Sequence, residues 1–445
     1  MRSFPKLLAT WLTVLLLAQA ARAGTTPMEA PLREGGVTRI TCDLVDATES
    51  RKRFKYITDG ERSQSKKTTG FHYNVYVPAG YAASRDHHYP CLFLGGKGFN
   101  PKRKESARFT RDRWVVVTLV EAGKEGVHWL HNFLAAHDDV VKRVRIARGL
   151  KFTTGYSGTT RAASVHPLVR PGFAGVIAQA AGFNYRTKPY DHYYEWFPAH
   201  VLVTGCFGNG CFNAKEAHAI RRNLSWSRTD ILFFKGGHAW ATPAIIDSAL
   251  DRMERNLFLE PRRPARTVRS KVSRPPPLEP VDAEGYMWYL RKCRRLIKDA
   301  KGKPARFVAL RRALAAVRKG NLGGRKGVSE MSASWQAEMT ELGRDPAVAE
   351  FERKALRPFE MAVRSEELLA AQVARGTQSY VRGRNGLRFS AAEQQLVQRT
   401  IAAYQAVLDS KVAAVFEKEC RIRIASLKFE LAGATRKKSR KGRRR

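Results

Sequence analysis

One short segment holds the residues best suited to covalent chemistry. Residues 153–160 read Thr-Thr-Gly-Tyr-Ser-Gly-Thr-Thr and lie between an apolar stretch and a helical one. A serine at a tight strand-to-helix turn presents its hydroxyl to solvent, and Gly155 and Gly158 supply the small neighbours that the strained backbone needs. The pattern departs from G-x-S-x-G at its last position, where Thr159 stands. It indicates Ser157 as a nucleophile.

The elements that must position this serine follow from the hydrophobic pattern between residues 71 and 258. Short apolar runs are typical of strands, and longer runs with helical spacing alternate with them. We predict strands at 71–78, 91–94, 114–120, 151–154, 173–180, 200–204 and 230–234, and helices at about 128–148, 159–168, 213–224 and 243–257. This alternation predicts an α/β fold with a mostly parallel sheet and helices on both faces.

The segment at 153–183, TTGYSGTTRAASVHPLVRPGFAGVIAQAAGF, resembles the nucleophile region of the α/β-hydrolase superfamily. The similarity is to secreted polyhydroxybutyrate depolymerase/feruloyl esterase-like or dienelactone-hydrolase-like proteins, and it covers roughly residues 70–258. It implies an α/β-hydrolase-like sheet, with Ser157 as the nucleophile of an acyl transfer. In this fold the base follows the last strand, so His238, in Lys-Gly-Gly-His-Ala-Trp after the strand at 230–234, is the histidine that the resemblance implies.

The resemblance also implies an oxyanion hole made of two backbone N–H groups. One belongs to Gly158, directly after the nucleophile. The other belongs to the loop Gly-Gly-Lys-Gly-Phe at 95–99, at Gly96 or Lys97, where related enzymes often carry His-Gly.

The acid of the catalytic triad is the position at which this chain departs from the resemblance. Related sequences place an aspartate just before Phe-Asn-x-x-Glu, and the matching segment at 211–216 reads Cys-Phe-Asn-Ala-Lys-Glu, with Cys211 at the aspartate position. Three alternatives stay open. The acid is Asp191 or Glu195 from the end of the preceding strand, or Glu216 reaches back, or the triad is incomplete and the domain is a weak hydrolase or a binding module.

Aromatic residues are dense between 184 and 197, in a segment that follows the strand after the nucleophile helix. Such rings can stack on sugar or aryl groups of a substrate, or they can pack as a lid. Together with the aromatic neighbours of the serine and the histidine, the predicted substrate-binding residues are Tyr156, Tyr190, Tyr194, Trp196 and Trp240.

The charge of the chain is extreme, because 80 Lys and Arg stand against 40 Asp and Glu, a net charge of +40. Such a field attracts polyanions. We expect anionic envelope polymers as partners of the surface and of the basic run at 436–445, with nucleic acid only as a nonspecific partner. The alternative is a general arginine bias that produces a solvated surface.

The first 23 residues are typical of a secretory signal peptide. Arg2 and Lys6 flank an apolar run at 7–18, and Ala-Arg-Ala at 21–23 ends it. Cleavage after residue 23 would place the mature chain outside the cytoplasm, secreted or periplasmic, with no later apolar run of membrane-spanning length.

Six cysteines in an exported chain allow three disulfides. Cys206 and Cys211 are the candidate pair, because the loop between them contains enough glycine to bring their Cα atoms together. Metal binding by these thiols is not expected in an oxidising compartment, and no metal or organic cofactor is implied.

The composition divides the chain into six segments. These are a signal peptide (1–23), an N-terminal extension with the first strands (24–70), the α/β-hydrolase-like domain (71–259), a Pro/Arg-rich linker (260–282), a separate α-helical region (283–433) and a basic disordered tail (434–445).

Two functions of different classes follow. The first is a secreted serine hydrolase, esterase-like, that acts on an ester-bearing small molecule or on an acylated or acidic polysaccharide. The second is a catalytically weak or inactive hydrolase-fold protein that binds a polyanion at the cell envelope. The sequence favours the enzyme.

Overall fold

The structure is a computed structural model. It describes residues 31–48, 66–96, 98–122, 128–181, 199–207, 210–211, 217, 229–260, 279–375, 389–410, 412 and 414–435.

A single sheet organises the first half of the chain. Within the described residues it has nine strands: β1 (Val37–Cys42), β2 (Phe71–Tyr76), β3 (Tyr89–Gly95), β4 (Val115–Leu119), β5 (Ile146–Tyr156), β6 (Phe173–Gln179), β7 (Ala199–Phe207), β8 (Gly210–Cys211) and β9 (Thr229–Lys235). Their spatial order is β1-β2-β4-β3-β5-β6-β7-β9, with β8 as a short antiparallel partner of β7. The strands from β4 to β9 in this order are parallel, and β1 and β2 are antiparallel additions at one edge.

Helices are present after β4, β5 and β9, as the sequence predicts, and the described residues form eleven α-helices in all. They are α1 (Ala107–Arg111), α2 (Trp129–Arg143), α3 (Gly158–Val169), α4 (Pro243–Glu254), α5 (Ala283–Asp299), α6 (Lys303–Lys319), α7 (Val328–Gly343), α8 (Pro346–Phe351), α9 (Arg357–Arg375), α10 (Ala391–Asp409) and α11 (Glu417–Thr435). None of the helices in the described ranges is long and apolar enough to cross a membrane.

The fold class predicted from the sequence is confirmed. Every residue of β4 and β6 is buried, as expected for parallel strands covered on both faces. The parallel order β4-β3-β5-β6-β7-β9, with the serine turn at the end of β5, gives an α/β-hydrolase-like fold.

Two element boundaries differ most from the prediction. The helix expected at 128–148 ends at Arg143, and β5 begins at Ile146, five residues before the predicted strand. The early start of β5 is not evident from the sequence, because Gly149 interrupts the apolar residues of this strand. Gly149 has φ of +70° and passes so close to the segment before α5 that a Cβ would lie 2.6 Å from the Pro280 carbonyl oxygen. The helix expected at 213–224 lies outside the described residues except for Ala217.

The first C-terminal helices, α5, α6 and α7, share a core with the sheet, whereas the buried apolar residues of α8 to α11 form a second cluster. The first of them, α5, inserts Trp288 and Tyr289 into the hydrophobic cluster that contains the strands, and the Trp288 indole donates to the Asp112 carbonyl at 2.9 Å. The Tyr289 ring stacks on Phe258 with centroids 4.2 Å apart. The predicted linker and domain bounds stay predictions, but α5 does not fold away from the sheet as a separate unit.

The last helix covers the side of β9 that faces away from β7. The Phe233 N–H of β9 donates to the Ser426 hydroxyl of α11 at 2.9 Å. A sheet edge left open exposes backbone groups that pair with other chains, and a covering helix prevents this. Since β9 leads into the loop of His238, α11 supports the strand that carries the predicted base.

Candidate active site

Ser157 lies at the turn between β5 and α3, in a conformation that non-glycine residues rarely adopt. Its backbone angles are φ 54° and ψ −125°. The turn is held by two main-chain hydrogen bonds: the Ser157 N–H donates to the Gln179 carbonyl of β6 at 2.9 Å, and the Thr160 N–H donates to the Ser157 carbonyl at 3.0 Å. Strain of this kind persists only where the surroundings impose it, and it points the serine away from the sheet.

Gly155 makes the turn possible, because α3 folds back directly against it. A Cβ at this position would lie 2.4 Å from the Thr159 carbonyl oxygen and 2.7 Å from the Thr160 nitrogen. Both contacts are with backbone, which has little freedom to move away. The small residue that the sequence analysis expected here is therefore a steric requirement.

The structure brings the two principal predicted residues together. The Nε2 atom of His238 lies 2.8 Å from the Oγ atom of Ser157, although the residues are 81 positions apart. For Ser157 to donate this hydrogen bond, Nε2 must be unprotonated and Nδ1 must carry the ring proton. A serine in hydrogen-bond contact with an imidazole base is the arrangement that activates a hydroxyl for nucleophilic attack.

The predicted oxyanion hole is partly described. Gly158 is the first residue of α3, where backbone N–H groups have no acceptor within the helix. On the other side, Gly96 follows β3 with φ of +97°, and a Cβ there would lie 3.4 Å from the Thr159 methyl carbon. Glycine is thus required at 96 by its backbone angle. Lys97 lies outside the described residues, so the choice between the Gly96 and Lys97 amides stays open.

Tyr156 and Trp240, both predicted to bind substrate, contact each other beside the histidine. Their rings stack with centroids 5.0 Å apart and an angle of 20° between planes. The Tyr156 hydroxyl also donates to the carbonyl oxygen of His238. The two rings therefore support the histidine loop, and substrate binding by them stays a prediction.

Gln179 is the main residue of the site that sequence reasoning missed. It ends the buried strand β6, its side chain is only 4% exposed, and its carbonyl accepts the Ser157 N–H. Its amide Nε2 donates to the Thr154 hydroxyl at 3.0 Å, and its Oε1 accepts the Ala241 N–H at 3.2 Å. The signal available in the sequence was a glutamine at the end of an otherwise apolar strand.

Thr159 is a second residue whose role the sequence did not reveal. Its hydroxyl lies 2.8 Å from both the N–H and the carbonyl oxygen of Tyr156, so it accepts from one and donates to the other. The final glycine of the common pattern is replaced here by a side chain that bonds the turn. The replacement therefore adds two hydrogen bonds between the first turn of α3 and the residue before Ser157.

Several predicted site residues lie outside the described residues. They are the acid candidates and the aromatic residues of one segment: Asp191, Glu195, Glu216, Tyr190, Tyr194 and Trp196. The identity of the triad acid and the substrate-binding role of these aromatic residues therefore stay predictions.

The cysteines divide into two groups. The strand register places Cys206 opposite Cys211, and directly opposed antiparallel residues have Cα separations that suit a disulfide. This pair stays a prediction. The possibility of three disulfides is wrong, because Cys42, Cys91, Cys293 and Cys420 are buried free thiols. They pack as small apolar residues, and burial raises the pKa of the Cys42, Cys293 and Cys420 thiols to about 12.

A cavity of about 110 Å³ lies on the sheet between the loop after β3 and the histidine loop. Its floor is formed by side chains of three parallel strands, and Trp240 and Ala241 close one side. The lining residues are Leu92, Leu94, Gly98, Phe99, Asn100, Arg103, Glu105, Ser106, Phe109, Thr154, Ile177, Gln179, Trp240, Ala241 and Ile246. Within the described part of the chain, no three His, Cys, Asp or Glu residues are placed to hold a metal ion.

No protein-family model matches the chain, and no curated protein matches it in sequence. Solved structures that are similar to it at low identity include the following three. Oligopeptidase B from Leishmania major is 13% identical, with a TM-score of 0.35 over 50% of this chain and 37% of its own. A ferulic acid esterase is 13% identical, with a TM-score of 0.35 over 50% of this chain and 98% of its own. The enterobactin esterase from Shigella flexneri is 14% identical, with a TM-score of 0.35 over 52% of this chain and 65% of its own.

The extent of these similarities differs between the proteins. This chain covers 37% of the oligopeptidase, well under two thirds of its length. The matched part is about half of this chain in all three cases.

Proposed function

We propose that this protein is a serine hydrolase that cleaves an ester by acyl transfer to water. The observation that carries the proposal is the 2.8 Å contact between Ser157 Oγ and His238 Nε2 at a strained strand-to-helix turn. A chance contact between a surface serine and a histidine does not require a strained backbone. Ser157 has a positive φ, which costs free energy and directs its hydroxyl outward.

The steps follow from this geometry. Ser157 Oγ attacks the carbonyl carbon of the ester while His238 Nε2 takes the hydroxyl proton. The negative charge on the former carbonyl oxygen is met by the Gly158 amide and by an amide of the 96–97 loop. When the tetrahedral intermediate collapses, the C–O bond to the alcohol breaks and His238 returns the proton to the leaving oxygen. Water then attacks the acyl-serine by the same route, which releases the acid and restores Ser157.

The cavity beside the site supports a small apolar acyl group as part of the substrate. Its floor includes the aliphatic side chains of Leu92, Leu94 and Ile177 beside the polar Thr154 and Gln179, and Phe99 and Trp240 add aromatic surface. An engineered apolar cavity of about 150 Å³ in another protein holds one benzene ring. A cavity of about 110 Å³ therefore suits a short aliphatic chain or a single small ring rather than a long acyl chain.

Export and anionic partners belong to the same proposal. The leader-like residues 1–23 support a secreted or periplasmic location, and the net charge of +40 supports binding to anionic envelope polymers. An acylated or acidic polysaccharide would combine the charge of such a polymer with the ester that Ser157 needs.

Ester hydrolysis tests the enzyme directly. Nitrophenyl acetate and butyrate are given to the native protein and to Ser157→Ala. Loss of turnover by roughly 10³-fold or more in the variant, with the fold retained, supports the proposal. Equal turnover in both proteins contradicts it and leaves the second candidate, a hydrolase-fold protein that binds polyanions without turnover. The net charge of +40 favours that candidate, whose binding to heparin would weaken steeply as salt rises.

A further inference from the structure

We propose that Gln179 and Tyr156 are positioning residues that hold the loop of His238 against the nucleophile turn through its backbone. This inference rests on the proposed function, and it concerns how the imidazole is kept in place. Gln179 and Tyr156 each contact both halves of the catalytic pair, the serine turn and the histidine loop.

Gln179 joins the two halves through different atoms of one residue. Its main-chain carbonyl accepts the Ser157 N–H at 2.9 Å and the Thr160 hydroxyl at 2.9 Å, which fixes the nucleophile turn. Its side-chain Oε1 accepts the Ala241 N–H, three residues beyond the histidine. Any shift of the histidine loop relative to the serine must stretch one of these bonds.

The orientation of the Gln179 amide is dictated by Thr154. The Thr154 hydroxyl donates its only proton to the Ile177 carbonyl at 2.8 Å, so towards Gln179 it must act as an acceptor. The neighbouring Gln179 atom must then be the Nε2 donor, at 3.0 Å, and Oε1 is left for Ala241. A glutamate at this position has no donor for Thr154 when it is ionised, so the position requires an amide.

Tyr156 holds the other end of the histidine loop. It directly precedes the nucleophile, its hydroxyl donates to the His238 carbonyl, and its ring stacks on Trp240. A tyrosine hydroxyl is protonated at neutral pH, and burial raises the pKa of Tyr156 further, so this hydroxyl acts as a donor. Tyr156 contacts His238 and Trp240, and Gln179 binds the Ala241 N–H, so the loop is held at residues 238, 240 and 241. These contacts set the distance between His238 Nε2 and Ser157 Oγ.

The test measures how fast a fluorophosphonate labels Ser157 in full-length variants. Tyr156→Phe removes only the hydroxyl, and Gln179→Leu removes both side-chain bonds at nearly constant volume. We expect slower labelling in both, by up to about 100-fold, because misplacing a reacting group by roughly 1 Å costs about that much. Gln179→Glu should be slow as well.

Two matched controls separate positioning from general destabilisation. Tyr73→Phe breaks a partly buried hydroxyl bond to Asp139 (2.7 Å), and Asn132→Leu breaks two partly buried amide bonds, to the His72 carbonyl (2.9 Å) and from the Glu121 N–H (3.1 Å). Both lie away from the serine turn, so they should lower the unfolding temperature without slowing the labelling of folded protein. A double variant adds a second readout: in a His238→Ala background, Tyr156→Phe should have no further effect.

The outcomes are distinct. If native protein is labelled and Tyr156→Phe and Gln179→Leu are labelled equally fast, the inference is wrong while the proposed function stands. The inference is also wrong if the controls slow labelling as much as the two variants. If native protein is not labelled at all, the proposed function fails and the inference fails with it.

Discussion

The Thr159 hydroxyl lies 2.8 Å from the Tyr156 nitrogen and accepts its hydrogen, which joins the first turn of α3 to the end of β5, just before Ser157. The Thr159 methyl carbon lies under Gly96, 3.4 Å from where a Cβ of that residue would stand. One side chain thus contacts both the nucleophile turn and the loop of the predicted oxyanion hole. The chain tolerates threonine at this place because Gly95 and Gly96 leave room for it.

We expect Thr159→Val to destabilise the protein by about 1 kcal/mol, because the Tyr156 N–H would lose its acceptor in a half-buried turn. Urea denaturation measures this difference. Thr159→Ser keeps the hydroxyl and should be closer to the native stability. Equal stability of the valine and serine variants would contradict the role given to the hydroxyl.

We expect Gly155→Ala to destabilise the fold by about 1–3 kcal/mol and to abolish fluorophosphonate labelling. The added methyl would meet the Thr159 carbonyl at 2.4 Å, so α3 must move and carry Ser157 with it. The matched change Gly343→Ala places a methyl in open space at the end of α7. Normal labelling of folded Gly155→Ala would contradict this prediction, because it would show that Ser157 keeps its position when α3 moves.

A buried histidine cluster predicts a loss of stability in mild acid. Burial lowers the pKa of His137 from 6.5 to about 4, with the Lys151 cation acting in the same direction and Asp138 opposing it. The Lys151 Nζ atom lies 2.9 Å from His137 Nε2, so a protonated ring would face a cation. His166, buried against Phe133, has a pKa well below 6.5 for the same main reason, burial.

The sign of this dependence follows from proton uptake. The unfolded chain protonates His137 near pH 6.5, whereas the folded chain does so only near pH 4, so acid favours unfolding between these values. The loss for His137 is on the order of 3 kcal/mol, and His166 adds to it. Urea denaturation at pH 6.5 and at pH 4 measures the loss, which should be smaller in His137→Gln. An unchanged loss in that variant would exclude His137 as a source.

We expect Ser426→Ala to lower stability by about 1–3 kcal/mol, because the buried Phe233 N–H of β9 would lose its acceptor. Ser332→Ala is the matched control: its hydroxyl donates only to the Ser329 carbonyl at the surface of α7, so the variant should stay within about 0.5 kcal/mol of native. Chemical denaturation of both variants compares them. If Ser426→Ala is as stable as its control, α11 does not hold the edge of the sheet in the way described.

The cavity beside the site predicts a selectivity change. Ile246 lines it from α4, and Ile246→Phe would fill part of its volume. We expect the ratio of kcat/KM for nitrophenyl butyrate to that for nitrophenyl acetate to fall about 10-fold or more. Val141→Phe, exposed on α2, serves as the control. An unchanged ratio in Ile246→Phe would mean that the acyl group does not enter this cavity.

The sequence was sufficient to predict the alternation of strands and helices, because local hydrophobic patterns carry that information. It indicated Ser157 through the motif at 153–160 and through the resemblance to the α/β-hydrolase superfamily, and the resemblance alone implied His238. It was not sufficient for Gln179, whose role arises only when β6 lies beside β5 and the histidine loop folds over both. The sequence was also not sufficient to predict that α5 packs on the sheet. An amphipathic helix shows that it buries one face, but the surface that covers this face is set by tertiary structure.

Covalent labelling of Ser157 by a fluorophosphonate tests the central claim most directly, because it needs an activated serine but no knowledge of the substrate. Native protein, Ser157→Ala and His238→Ala are compared after each is shown to be folded. We predict labelling of the native protein at a single site, Ser157, with labelling absent in Ser157→Ala and strongly slowed in His238→Ala. A folded native protein that resists the probe, or that is labelled equally in His238→Ala, would contradict the account.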